Sequence, residues 1–76
     1  MNASKYNIML PRNIAKTIKE LGLKNSAVAE KAGYTSQQLS DMLNGRRIIK
    51  PCDILAISDA LGVGVEELFA EVRSSA

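Results

Sequence analysis

The sequence predicts an all-α protein: five short helices packed as a compact domain. Three observations carry that prediction. Apolar residues recur at three- and four-residue spacing, and no stretch sustains the apolar–polar alternation of a half-buried strand. The stripes end on glycine or Asn-Gly stops at Gly22, Gly33, Asn44-Gly45 and Gly62. Residues suited to opening a helix precede them, namely Pro11, Asn25, Thr35 and Pro51.

The first helix is expected over Leu10–Glu20, with Pro11 in its first turn, where a missing N–H costs nothing. Ile14, Ile18 and Leu21 share its apolar face. Asn25 caps a second helix, about Ser26 to Lys31 or Ala32, whose inner face is Val28, Ala29 and Ala32. Thr35 caps a third, Ser36–Leu43, and Gln38 three residues on completes a capping box. Leu39, Met42 and Leu43 point to the core. Pro51 opens a fourth helix ending at Leu61, with Asp53 favourable near its positive end and a broad stripe of Ile54, Leu55, Ile57, Ser58 and Leu61. A fifth, Val65–Val72, begins with Glu66 and Glu67 and buries Leu68, Phe69 and Val72.

Length and composition restrict the function. Seventy-six residues suit one domain over 1–76, with 46% hydrophobic residues to build its core. No apolar run approaches a membrane span, and Met1–Leu10 is too weakly apolar for a secretory signal, so a cytoplasmic protein is expected. A single cysteine excludes an internal disulfide, and Cys52 reads as a small, partly packed residue rather than a redox sensor. Without histidine, the usual zinc sites and the Ser-His and Cys-His nucleophile systems are absent. No glycine loop is shaped to cradle phosphates. The sequence therefore predicts no enzyme, metal, cofactor or small-molecule substrate.

Charge is segregated along the chain. Residues 1–50 carry nine Lys/Arg and three acids, a net of +6, whereas residues 51–76 carry one Arg and five acids, a net of −4. A basic half suggests a polyanionic partner, although charges also segregate on ordinary solvated surfaces.

The second and third helices are separated by Gly33, Tyr34 and Thr35, the layout of a helix-turn-helix over about residues 25–44. Ala29 is small where the two helices must cross, and Gly33 suits a sharp left-handed turn. The stretch "LGLKNSAVAEKAGYTSQQLSDMLNGRRIIKP", followed by "DALGVGVEELF", resembles the Cro and phage-repressor (XRE) class of helix-turn-helix DNA-binding domains. The resemblance covers roughly Asn13 to Phe69. "AEKAG", "LNGRR" and "ALGVGVEELF" together are far more specific than any one of them.

The resemblance implies a compact five-helix, lambda-repressor-like domain that binds double-stranded DNA, usually as a homodimer on a near-palindromic operator. It implies a transcriptional regulator, a repressor of phage or mobile-element type; the alternative is an antitoxin or protein-interaction module of the same fold. In such domains the third helix enters the major groove with its N-terminal residues toward base edges. Here those residues are Ser36, Gln37 and Gln38, with Ser40 and Asp41 one turn further. Glutamine pairs with adenine, serine donates or accepts, and an aspartate accepts from cytosine N4. A plainer reading also stands, in which Thr35 and Gln38 are caps and Ser36 and Gln37 are solvated. The resemblance assigns phosphate contacts to Asn25, Thr35, Asn44, Arg46 and Arg47, with Lys16, Lys24 and Lys50 as weaker candidates. Such contacts make affinity salt-dependent without reading sequence. The dimer surface is expected among exposed members of Val63, Val65, Leu68, Phe69 and Val72.

The chain departs from the family pattern at three places. Cys52 stands near where some members carry a minor-groove arginine, so that role is not transferred. "RRIIK" looks one residue longer than the loop of some members. Tyr34 replaces a smaller aliphatic, and its hydroxyl is expected to reach solvent or a phosphate.

Overall fold

The computed structural model describes residues 3–70, with side chains from residue 6 onward. Five helices follow one another: α1 (Ala3–Glu20), α2 (Asn25–Ala32), α3 (Ser36–Leu43), α4 (Pro51–Leu61) and α5 (Val65–Leu68). The bounds of α3 and α4 are those the sequence predicts. The other three helices differ, each for an identifiable reason.

α1 begins at Ala3 rather than Leu10, with Pro11 inside it. An interior proline forfeits one backbone hydrogen bond and costs about 3 kcal/mol, which is why the sequence argument starts the helix there. Tertiary packing offsets that cost. Leu10, Ile14 and Ile18 are buried on one face. The Tyr6 ring meets Phe69 edge-on, with centroids 6.2 Å apart and planes at 68°. Leu21, expected on the same face, is 48% exposed: its N–H still bonds the Thr17 carbonyl at 3.0 Å, but it lies in the turn just beyond Glu20, outside the packed part of α1.

Asn25 is the first helical residue of α2, not its cap. Lys24 is the N-cap, in extended conformation, and has no side-chain acceptor to offer. On α4, Leu55 faces outward at 61% exposure, while Ile57, Ser58, Ala60 and Leu61 are buried. The Ser58 hydroxyl is satisfied by donating to the Leu55 carbonyl at 3.0 Å.

α5 stops at Leu68, short of the expected Val72, which lies outside the described residues. Buried Asn13 on α1 accounts for that end. Its side-chain amide donates to the carbonyls of Leu68, at 2.8 Å, and Ala70, at 2.9 Å. Those carbonyls would otherwise continue or leave orphaned a helical end. Leu68 itself is fully buried, so it belongs to the core and not to the expected dimer surface; Val63 and Phe69 pack against that core from its edge.

The core is one cluster to which every helix contributes: Ile14, Val28, Ala29, Leu39, Met42, Ile57 and Leu68 are each exposed by 2% or less. α2 packs on α3 and α4, and α1 packs on α3 and α5. α3 is thus held from behind on two sides. Among the described residues, no helix is long and apolar enough to cross a membrane.

Candidate nucleic-acid interface

The turn that sets α3 is built on Gly33. Its φ of 91° lies in the left-handed region, and its N–H donates to Glu30 at 3.1 Å while that of Tyr34 donates to Ala29 at 2.8 Å. This double closure ends α2 and reverses the chain. Thr35 then opens α3. Its hydroxyl oxygen accepts from the Gln38 N–H at 3.1 Å, and the Gln38 side-chain oxygen accepts from the Thr35 N–H at 2.9 Å. The capping box is therefore complete.

Burial of Leu39 and Met42 decides which way α3 faces. Ser36, Gln37 and Asn44 are exposed on the opposite side, and Gln38, Ser40 and Asp41 are half-buried along its margins. Gln38 has spent its oxygen on the cap and keeps its amide N–H groups. The Ser40 hydroxyl accepts from Asn44 Nδ2 at 3.2 Å, and Gln37 Nε2 donates to Asp41 Oδ1 at 2.9 Å. The outer face is thus a row of small hydrogen-bonding groups already ordered by one another.

Arg46 and Arg47 are turned back beside this face by Gly45, whose φ is 78°. Their N–H groups both donate to the Asp41 carbonyl, at 2.8 and 3.2 Å. The Arg46 guanidinium, 72% exposed, stands 4.0 Å from the Asp41 carboxylate. Asn25 and Thr35 are exposed at the starts of α2 and α3. The two helix ends flank an open cleft lined by Ser26, Ala27, Glu30, Tyr34, Thr35 and Ser36. The start of α2 has no side-chain cap, so its backbone amides point to that surface unclaimed by one. Lys16, Lys24 and Lys50 are all exposed.

Tyr34 does not send its hydroxyl to solvent or toward a phosphate. It donates to Asp53 Oδ1, 19 residues away. Asp53 is only 5% exposed, and its second oxygen accepts from the Lys50 N–H at 2.9 Å. One carboxylate therefore closes the start of α4 and ties it to the helix-turn-helix turn. The Tyr34 hydrogen bond holds the Asp53 carboxyl below its usual value against the opposing effect of burial, helped by the Lys50 N–H and the Arg47 charge. Burial, then the bond and the charge of Asp53, push the Tyr34 hydroxyl up to about 12. The sequence reading missed this pair. Its only local signal was an acid at the third position of a helix whose N-cap, Lys50, has no acceptor. Cys52, beside it, is exposed rather than partly packed, because the first turn of α4 directs it outward.

The sequence model of the helix-turn-helix family matches residues 14–68, a span running from the middle of α1 to the end of α5. Comparison with curated proteins and with solved structures returns no significant match. The matched span contains the turn on Gly33, the capped α3 and the arginine segment. The chain belongs to the Cro and phage-repressor (XRE) class of helix-turn-helix domains and is a DNA-binding transcription regulator of that class.

Proposed function

We propose that the protein is a sequence-specific repressor of phage or mobile-element type, working in the cytoplasm as a homodimer on a near-palindromic operator, with residues 1–76 acting as one DNA-binding unit. The outer face of α3 carries this reading. It presents Ser36 and Gln37 exposed and Gln38, Ser40 and Asp41 at its margins, where long charged side chains would serve a merely solvated helix. In the major groove Gln37 and Ser36 are the leading base contacts, with Gln38 offering only its amide N–H groups. Asn25, Thr35, Asn44, Arg46 and Arg47 meet the flanking phosphates, Asn25 with the uncapped backbone amides at the start of α2 as well. Two subunits place their α3 helices about one DNA turn apart.

Selection from a library of random duplexes tests the reading, run beside sedimentation of the free and bound protein. A defined site with two related halves, bound by two copies, is the expected outcome; no enrichment at low salt would overturn it. Gln37→Ala should weaken binding to the selected site by about 1–3 kcal/mol while leaving non-specific affinity nearly unchanged. Equal losses on both kinds of DNA would remove Gln37 from the base-reading set.

A further inference from the structure

We propose that Asp41 makes Gln37 a reader of adenine against guanine by holding one of its two amide N–H groups. This inference rests on the reading of α3 as the helix that meets the bases. A free glutamine side chain offers two N–H donors and one acceptor, and it can turn either end outward. Guanine presents two acceptors in the major groove, N7 and O6, which two donated N–H groups satisfy. Adenine presents an acceptor at N7 and a donor at N6, which require one N–H and one oxygen. An unrestrained glutamine can serve both bases.

Gln37 is restrained. Its Nε2 donates to Asp41 Oδ1 at 2.9 Å, one helical turn along the exposed face. A carboxylate accepts and does not donate, so only the nitrogen end of the amide can face it. That fixes the orientation and removes one N–H from the outward set. One N–H and the oxygen remain, the pattern adenine needs and guanine does not.

A glutamine–aspartate pair at this spacing also lends modest support to any helix. Three further contacts meet at Asp41, one through its carboxylate and two through its backbone carbonyl. Its carboxylate lies 4.0 Å from the Arg46 guanidinium, and its carbonyl accepts from the N–H groups of both Arg46 and Arg47. The residue that orients the base reader is thus also the one from which the arginine segment hangs. Asp41 is a positioning residue: its side-chain oxygen is the acceptor that holds the nitrogen end of Gln37, although its negative charge is unfavourable beside phosphates.

The test compares wild type, Gln37→Ala, Asp41→Ala and Asp41→Asn in selection from one random duplex library, with a thermal melt of each variant to establish folding. Asp41 is half-buried at the margin of the face, so all are expected to fold. The readout is the adenine-to-guanine ratio at the position whose preference Gln37→Ala abolishes. Wild type should favour adenine there. Asp41→Ala should lower the ratio about tenfold, leaving other positions unchanged. Asp41→Asn, whose side-chain oxygen can still accept from Gln37 but whose amide can also turn and donate to the Gln37 oxygen, should fall between Asp41→Ala and wild type. Both Asp41 variants lose the same charge and should gain similarly in non-specific affinity, so charge cannot explain a difference between them. An unchanged ratio in Asp41→Ala, or an equal loss in both variants, overturns the proposal while leaving Gln37 as a reader. A wild-type preference for guanine at that position overturns it as well. If Gln37→Ala abolishes no preference at all, the base-reading role of Gln37 fails first and the proposal fails with it.

Discussion

The Tyr34–Asp53 pair shows how one side chain can couple two functional segments. Tyr34 lies in the turn before α3, and Asp53 in the first turn of α4, so their bond fixes α3 relative to the loop that carries Arg46 and Arg47. A hydrogen bond to a charged, buried acceptor contributes about 1.5–3 kcal/mol. Tyr34→Phe keeps the ring and deletes the donor, and it should lower stability by about that amount at neutral pH in urea or thermal melts. The sign of its pH dependence follows from both shifts. Asp53 titrates below its ordinary 3.8, so its contribution is complete above that pH and is lost as pH falls through the lowered value. Tyr34 titrates at about 12 instead of 10.0, so its contribution is present below pH 10.0 and is lost as pH rises toward 12. The stability difference between wild type and Tyr34→Phe should therefore be flat between these limits and shrink at both ends. A difference that persists unchanged at pH 12 would count against the pair.

Helix ends carry much of the information in this chain. α3 and α4 were legible to the residue because their start and stop signals are local: Thr35 with Gln38, Pro51, Asn44-Gly45 and Gly62. α1 and α5 were not, because their ends are set by each other. The N-terminal turns of α1 are accompanied by Tyr6 against Phe69, and the end of α5 is held by Asn13 across 55 and 57 residues of chain. Asn13→Ala should expose the weakness of so short a helix. Loss of its two hydrogen bonds should cost about 1–3 kcal/mol, seen as a lower melting temperature. Hydrogen exchange should rise first at α5, and a uniform rise across all helices would show that α5 has no separate dependence on Asn13.

At the scale of the whole molecule, charge and packing divide the work. The core uses residues from all five helices, while the basic half of the sequence supplies Arg46 and Arg47 beside α3 and exposed Lys24 and Lys50 at the starts of α2 and α4. Arg46→Ala should weaken binding to all DNA sequences and reduce the slope of log affinity against log salt by about one; an unchanged slope would take Arg46 out of the phosphate set. The number of helices, the turn on Gly33, the capping of α3 and the outward row from Ser36 to Asn44 are determined by the sequence alone. Periodicity, caps and glycine stops act within a few residues, so they can be read along the chain. Tertiary structure alone decided the length of α1, the exposure of Leu21 and Leu55, the end of α5 and the partner of Tyr34, because each depends on groups far away in sequence. It also decided the surroundings of Asp41: the turn at Gly45 brings the arginine segment back to α3, so that Gln37 and Arg46 meet around one carboxylate.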